Sequence, residues 1–172
     1  MKALVVVDYQ IDFVNGALGF AGAELLDALI VEKINECRKN GGKVIFTFDT
    51  HTEDYLNTAE GRKLPVPHCI KGTAGHGLYG EAAKCVKPED TVIEKPSFGS
   101  LELIKVLQDG SFDEVELCGL VTDICVVSNA IIAKTALPEA RVVVDGKATA
   151  SFDKDKYNAA LEVMKSVHVD VI

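Results

Sequence analysis

The sequence predicts an α/β domain built around a parallel β-sheet that is covered by helices on both faces. Two observations carry this prediction: six short apolar runs are spread along the chain, and segments of helical periodicity separate them. A strand that is followed by a helix and then by another strand forms a right-handed crossover, which makes the two strands parallel. At 172 residues the chain is long enough for one substantial core, so we expect residues 1–172 to form a single domain.

The predicted strands are continuous apolar runs, which is the pattern of parallel strands buried on both faces. They are Ala3–Val7, Val44–Phe48, Thr91–Glu94, Val115–Gly119, Arg141–Val144 and Val167–Ile172. One connection departs from the regular alternation: His51–Lys87 is long and polar and contains Pro and Gly. Long irregular connections within compact domains are often functional.

Four segments with apolar residues three and four positions apart predict helices. Ser100 and Asp153 precede two of them and are typical N-cap residues, whereas Gly41-Gly42 and Pro138 follow the other two and end them. The predicted helices are Ala23–Asn40, Leu101–Leu107, Thr122–Ala136 and Asp153–Lys165.

The net charge and the cysteine content indicate which binding partners and which cellular compartment suit this protein. The formal net charge is −8, which argues against nucleic acid or an anionic membrane as the main partner. No apolar stretch approaches the ~20 residues of a membrane span, and the run after Met1 is too short, and ends in an acid, for a signal peptide. The five cysteines form no Cys-x-x-Cys pair, which predicts neither a disulfide framework nor a zinc ribbon. We therefore expect a cytoplasmic protein.

Three chemically active side chains follow predicted strands at the points where those strands end. Asp8 ends the first strand and Lys95 the third, and Cys125 follows the fourth across the turn that begins at Gly119. The carboxyl ends of parallel strands form one rim, where α/β proteins bind ligands. Cys125 also begins a helical pattern, where backbone N–H groups and the helix dipole favour a thiolate. Taken alone, Asp8 is equally consistent with a turn-forming residue, and Lys95 is consistent with a solvated surface lysine. Together with Cys125 they predict a cysteine hydrolase.

A second cluster follows the strand Val44–Phe48. Asp49 and His51 are two positions apart, so in an extended segment their side chains point to the same side. His68 follows two prolines that stiffen the loop. Two imidazoles and a carboxylate suit a divalent metal, with Zn²⁺, Fe²⁺ and Mn²⁺ all compatible. Glu60 is a further candidate ligand, although a glutamate in a polar loop is more often solvated, and Asp49 with His51 is equally read as a strand-end turn.

Five motifs occur in order along essentially the whole chain. They are Val-Val-Asp8-Tyr-Gln-Ile-Asp-Phe13, Phe-Asp49-Thr-His51, Pro67-His68-x-x-x-Gly72-Thr73, Glu94-Lys95 and Gly119-Leu-Val-Thr122-Asp-Ile-Cys125-Val. Together they resemble the isochorismatase-like cysteine hydrolases and, within that superfamily, the nicotinamidases. The resemblance implies a three-layer, Rossmann-like fold with a six-stranded parallel sheet. It also implies a catalytic triad and a metal site, which map to Asp8, Lys95 and Cys125 and to Asp49, His51 and His68.

The resemblance implies a reaction and further site residues as well. Nicotinamide would be hydrolysed to nicotinate and ammonia through a thioester on Cys125, and the backbone N–H groups of Thr122 and Cys125 would form the oxyanion hole. Phe13 is the candidate to pack against the pyridine ring, although it is equally a core residue. In family members the peptide bond before the matching threonine is often cis, here Val121–Thr122. Zn²⁺ is the favoured ion, and we expect the chain to form a homo-oligomer.

Two departures from the nicotinamidase pattern leave the substrate open. The chain has no histidine between His51 and His68, where nicotinamidases commonly place one and where Glu60 is the candidate replacement. It also has no tryptophan, which often lines the nicotinamide pocket. The main alternative is a related amidohydrolase of a carbamoyl or ureido compound. An isochorismatase-type hydrolase does not need the cysteine, and a non-catalytic binding domain does not need all three triad residues.

Overall fold

The computed structural model describes residues 1–172, and its centre is a six-stranded sheet. In chain order the strands are β1 Lys2–Val7, β2 Lys43–Asp49, β3 Thr91–Lys95, β4 Glu114–Leu120, β5 Arg141–Ala150 and β6 Asp170–Val171. Their order across the sheet is β3-β2-β1-β4-β5-β6, and every neighbouring pair is parallel. The predicted fold class is therefore confirmed. The chain order reverses between β1 and β4, and ligand sites of open α/β sheets lie outside the carboxyl ends of strands at such a point.

Seven α-helices surround the sheet. They are α1 Ile11–Val14, α2 Leu26–Lys39, α3 Ala59–Lys63, α4 Gly80–Lys84, α5 Leu101–Asp109, α6 Val127–Ala136 and α7 Lys154–Ser166. Both predicted N-caps are confirmed: the Ser100 hydroxyl accepts the N–H of Leu103 at 3.1 Å, and the Asp153 carboxylate accepts the N–H of Asp155 at 3.0 Å. The short helices α1, α3 and α4 carry too few residues for a periodic apolar pattern and were not predicted.

Two apolar clusters pack on opposite faces of the sheet and explain the uninterrupted apolar strands. Side chains alternate along β1, so Ala3, Val5 and Val7 join one cluster, whereas Leu4 and Val6 join the other. The first cluster contains buried residues of α5, α6 and α7, and the second contains those of α2. A strand covered on both faces has no position at which a polar side chain would reach water.

The structure corrects several predicted boundaries. The predicted strand Val167–Ile172 is reduced to β6, because α7 continues to Ser166 and the chain then reverses through His168, which has a left-handed φ of +63°. The strand predicted as Arg141–Val144 continues to Ala150. Of the five cysteines, Cys85 is half-buried and the other four are buried. None of the helices combines the length and the apolar character that a membrane span requires.

Candidate active site

The ends of β1 and β3 and the turn after β4 bring Asp8, Lys95 and Cys125 together. Lys95 Nζ lies 2.6 Å from Asp8 Oδ2 and donates a hydrogen bond to Cys125 Sγ at 3.4 Å. None of the three residues is more than 4% exposed. An acid, an ammonium and a thiol that share one buried volume form an arrangement that can transfer a proton and attack a carbonyl carbon.

The backbone around Asp8 determines what each of its carboxylate oxygens contacts. Asp8 follows β1 directly with a left-handed φ of +44°, and its N–H donates to the carbonyl of Thr47 on β2 at 3.1 Å. Oδ1 accepts the Thr47 hydroxyl at 2.7 Å, whereas Oδ2 pairs with Lys95 and has no other partner. One oxygen is therefore fixed by a neutral donor, and the other remains available to exchange a proton.

The Lys95 ammonium has an acceptor for each of its three hydrogens. Besides Asp8 and Cys125, the carbonyl oxygen of Ser97 accepts from Nζ at 2.9 Å, and Asp49 Oδ1 lies 3.6 Å away. Burial alone lowers the pKa of Lys95, but the nearby Asp8, Cys125 and Asp49 outweigh it and hold that pKa above its ordinary value. Lys95 therefore remains a buried cation.

Burial affects the acid and the thiol in the same direction. It raises the pKa of Asp8 by more than the Lys95 charge lowers it. It also raises the pKa of the Cys125 thiol, and the Asp8 carboxylate raises it further, against the opposing charge of Lys95. Burial therefore opposes the thiolate that the helix start favours, and Asp8, with its raised pKa, is the group placed to accept the Cys125 proton.

The segment that carries Cys125 leaves β4 through an irregular turn. The cis peptide bond is Leu120–Val121, so the expectation of a cis bond at Val121–Thr122 is wrong by one residue. Thr122–Val126 then forms one π-helical turn before α6 begins, where an α-helix from Thr122 was predicted. The Thr122 and Thr149 hydroxyls are 2.7 Å apart and attach this turn to β5. Such wide turns occur preferentially at functional sites.

Asp49, His51 and His68 form a cluster that fits a divalent metal. One ligand atom from each residue lies within 4.8 Å of the other two, and all three residues are buried. His51 Nε2 and His68 Nε2 lie 3.0 Å and 3.3 Å from Asp49 Oδ2. His68 Nδ1 bonds to the carbonyl oxygen of Val66 at 2.8 Å, which leaves Nε2 directed at the cluster, as in metal-ligating histidines. Glu60 Oε1 is 3.8 Å from His51 Nε2 and 3.7 Å from His68 Nε2, so the structure places this candidate ligand at the same cluster.

The charges of this cluster suit a cation. Burial alone raises the pKa of Asp49, but hydrogen bonds from His51 and His68 and the charge of Lys95 outweigh it and hold that pKa below its ordinary value. Asp49 is therefore an anion, and the two imidazoles beside it complete the donor set that Zn²⁺, Fe²⁺ or Mn²⁺ accepts.

Two polar residues that the sequence analysis did not single out, the buried Gln10 and the half-buried Asp12, hold this cluster in place. The Gln10 amide donates to the carbonyl oxygen of Asp49 at 2.9 Å and accepts the N–H of Asp49 at 2.8 Å. Asp12 accepts the N–H of Cys69, the residue after His68, at 2.8 Å. Both lie in the motif that contains Asp8 and Phe13. Polar side chains among the apolar residues of that motif are the sequence feature that could have indicated their role.

Two adjoining cavities open beside the buried groups. One, of about 590 Å³, is lined by His51, Glu60, Lys63, Pro96, Ser97 and Phe98, among others. The other, of about 490 Å³, is almost entirely apolar and is lined by Phe13, Leu18, Phe20, Val121 and Phe152, among others. Leu64 and Ile124 line both cavities. The ring of Phe13 lies 5.5 Å from that of His68, centroid to centroid, so the apolar cavity adjoins the metal cluster.

Fold and site together define a cysteine hydrolase of the α/β class, and comparison with known proteins identifies its family. The profile of the isochorismatase domain matches residues 2–172, so the chain belongs to the isochorismatase family.

One relative in sequence and two solved structures are similar to this chain over most of its length. An uncharacterized isochorismatase family protein PncA of Bacillus subtilis (strain 168) is 34% identical, covering 93% of this chain and 92% of its own. The crystal structure of a nicotinamidase/pyrazinamidase PncA from Bacillus subtilis superposes with a TM-score of 0.88 at 32% identity, over 99% of this chain and 98% of that one. A pyrazinamidase of Pyrococcus horikoshii in complex with zinc superposes with a TM-score of 0.86 at 25% identity, over 99% of this chain and 98% of that one.

Proposed function

We propose that this protein is a metal-containing cysteine amidohydrolase that converts nicotinamide to nicotinate and ammonia through a thioester on Cys125. The observation that carries the proposal is the buried Lys95 ammonium, which is within hydrogen-bonding distance of both the Asp8 carboxylate and the Cys125 thiol. The solved structures of nicotinamidases that this chain resembles support the choice of substrate.

The first half of the reaction forms the thioester. Cys125 Sγ attacks the carboxamide carbon while its proton passes to Asp8 Oδ2, and the carbonyl oxygen gains the negative charge. Backbone N–H groups of Thr122 and Cys125 would stabilise that oxyanion, an effect worth about 10²–10³ in rate per donor. When the carbonyl re-forms, the C–N bond breaks, Asp8 returns the proton to the nitrogen, and ammonia leaves.

The second half consumes one water molecule. Asp8, again a carboxylate, takes a proton from water while the water oxygen attacks the thioester carbon. The C–S bond then breaks, the proton returns to Cys125 Sγ, and nicotinic acid is released and ionises to nicotinate in solution. Lys95 stays protonated throughout, where it balances the charge of Asp8 and holds the thiol near it.

Asp49, His51 and His68, with Glu60 as the fourth candidate, would hold the metal. A bound ion supplies a Lewis-acidic contact for the ring nitrogen of the substrate and so fixes the ring rather than activating the nucleophile. We propose Zn²⁺ as the resident ion, because two imidazoles and a carboxylate suit it and a zinc-bound relative shares the fold. A cytoplasmic location and a homo-oligomeric state remain predictions.

The apolar cavity supports an aromatic substrate. Phe13, Leu64 and Ile124 line this cavity with flat or apolar surfaces, and Phe13 lies beside His68, where a pyridine ring bound near the metal would pack. A small carbamoyl or ureido substrate without an apolar group would leave this cavity unfilled. We therefore assign the ring to the apolar cavity and give Phe13 the role of a ring contact.

The test is ammonia release from nicotinamide and, separately, from an N-carbamoyl amino acid. We expect turnover of nicotinamide by the wild type and by Cys85→Ala, whose half-buried thiol is the matched control, and only background release by Cys125→Ala. Rapid cleavage of the N-carbamoyl compound with nicotinamide inert would contradict the proposed substrate while leaving the cysteine mechanism intact.

A further inference from the structure

Asn129 is a buried amide with no part in the chemistry proposed above. It lies in the first turn of α6, four residues beyond Cys125, and is 0% exposed. Its Nδ2 donates to the carbonyl oxygen of Cys125 at 2.8 Å and to that of Phe98 at 3.0 Å, while Oδ1 accepts the N–H of Ser100 at 3.0 Å. A single planar group thus joins the nucleophile's own carbonyl to two backbone positions of another segment.

That other segment, Pro96–Ser100, connects Lys95 to α5. The Lys95 ammonium donates to the carbonyl oxygen of Ser97, so the segment holds the lysine side chain as well as following it in sequence. Pro96, Ser97 and Phe98 also form part of the wall of the 590 Å³ cavity. The segment that Asn129 binds therefore positions the catalytic cation and shapes the substrate site.

A separate apolar contact also holds this segment on α6. A Cβ atom placed on Gly99 would lie 2.5 Å from Cδ1 of Ile132, so the backbone and the helix are in close contact there. The polar bonds of Asn129 and the packing of Ile132 are different interactions on the same helix. Each can be removed without removing the other.

We propose that Asn129 is a positioning residue that fixes the Cys125 thiol relative to the Lys95 ammonium, by bridging the nucleophile turn to the segment Pro96–Ser100. Three directed hydrogen bonds from one buried group fix the distance between thiol and ammonium more closely than packing alone does. This precision matters because a displacement of about 1 Å at a reacting atom costs on the order of 10²-fold in rate. The inference rests on the proposed function only in its choice of substrate.

Two substitutions separate the bridge from the bond to the nucleophile's own carbonyl. Asn129→Leu removes all three bonds at similar volume. In α6, Ser128 and Thr135 already donate to the carbonyls four residues earlier, at 2.6 Å and 2.8 Å, so Asn129→Ser is expected to keep the bond to Cys125 and lose both bonds to the segment. We expect both variants to lose roughly 10- to 100-fold in kcat with little change in KM, because nucleophile placement rather than binding is affected.

Alkylation of Cys125 by iodoacetamide, followed by peptide mass mapping, gives a readout that does not depend on the substrate. We expect it to be about tenfold slower in both Asn129 variants than in the wild type, in line with a misplaced nucleophile. Ile132→Ala is the matched control: it should lower the thermal midpoint to a similar degree while keeping the wild-type kcat and alkylation rate.

The proposal is overturned if Asn129→Ser retains both the wild-type kcat and the wild-type alkylation rate. It is equally overturned if Ile132→Ala, at an equal loss of thermal midpoint, loses as much kcat as Asn129→Leu. If the wild type leaves nicotinamide intact, the proposed function fails, and the alkylation rates still decide the role of Asn129.

Discussion

Asp8 owes its chemistry to its surroundings rather than to its residue type. Thr47 fixes one of its oxygens, and the other pairs with the Lys95 ammonium. Asp8→Asn keeps the shape but removes the group that accepts the thiol proton. We expect kcat/KM to fall by about 10²–10⁴, the usual contribution of a general base. Steady-state ammonia release measures it, and full activity of this variant would exclude Asp8 as the base.

The raised pKa of Asp8 sets the acid side of the pH profile. Asp8 must be unprotonated to accept the Cys125 proton, so activity is present above its pKa and is lost as the pH falls through it. Because burial raises this pKa, the acidic limb of kcat/KM should lie above 3.8, the ordinary value for an aspartate. A profile that stays flat down to pH values near 3.8 would contradict the assignment.

Asp12 supports the metal cluster indirectly, by binding the residue that follows His68. Its carboxylate fixes the N–H of Cys69 and so the loop that carries His68. We expect Asp12→Ala to weaken metal binding by about 10- to 100-fold, as changes in outer-shell partners commonly do. Asp27→Ala is the matched control, because Asp27 binds the N–H groups of Glu81 and Ala82 in the same manner at the start of α4. Competition with a chelating dye measures the affinity, and equal affinities in both variants would exclude this role.

At this scale the sequence predicted the candidate catalytic residues that the structure brings together, but not the polar residues that hydrogen-bond around them. Asp8, Lys95 and Cys125 each end or follow an apolar run, which is a local pattern. The roles of Gln10, Asp12 and Asn129 depend on backbone groups far along the chain, and no local pattern encodes such a contact. The π turn around Cys125 is missed for the same reason, because its apolar spacing resembles that of an ordinary helix start.

At the scale of elements, the site depends on how closely β4 approaches β1. Gly119 has a left-handed φ of +109°, and a Cβ there would lie 2.1 Å from the carbonyl oxygen of Val7. Val7 directly precedes Asp8, so a side chain at position 119 would displace both the acid and the turn to Cys125. Only glycine satisfies the dihedral angle and the contact together.

Gly119→Ala should therefore destabilise the protein more than an alanine at another left-handed glycine. Gly22 is the matched control, since its φ is +96° and a Cβ there would meet nothing within 4 Å. We expect Gly22→Ala to cost about 1–2 kcal/mol from the dihedral angle alone and Gly119→Ala to cost clearly more. Urea denaturation gives both free energies of unfolding, and equal losses would show that the contact with Val7 is unimportant.

The elements themselves were largely predictable, because buried parallel strands and amphipathic helices leave strong patterns in the sequence. The strand predicted over Val167–Ile172 is the main exception: four of its six residues are apolar, which suits a strand, but the helix before it extends to Ser166. Where a helix stops depends on tertiary contacts of its last turn. A run of valines after it does not reveal that point.

For the molecule as a whole, metal binding and folding stability are linked. The candidate ligands Asp49, His51 and His68 come from β2 and from the long loop after it, so the unfolded chain does not hold them together. Metal at about 100 times its Kd should stabilise the fold by about 2.7 kcal/mol, which corresponds to roughly 5–10 °C in thermal midpoint for a chain of this size. Differential scanning calorimetry with and without a chelator measures this, and His68→Ala should show no metal-dependent shift. A chelator-sensitive midpoint in His68→Ala would place the metal elsewhere.

The proposed mechanism cleaves the amide through a covalent bond to Cys125. Acid quenching of the wild type during turnover of nicotinamide, followed by peptide mass mapping, detects that bond. We expect a nicotinoyl group on the peptide that contains Cys125 and on no other cysteine peptide, with neither adduct nor ammonia from Cys125→Ala. Continued ammonia release by Cys125→Ala, or an acyl group on another residue, would contradict it.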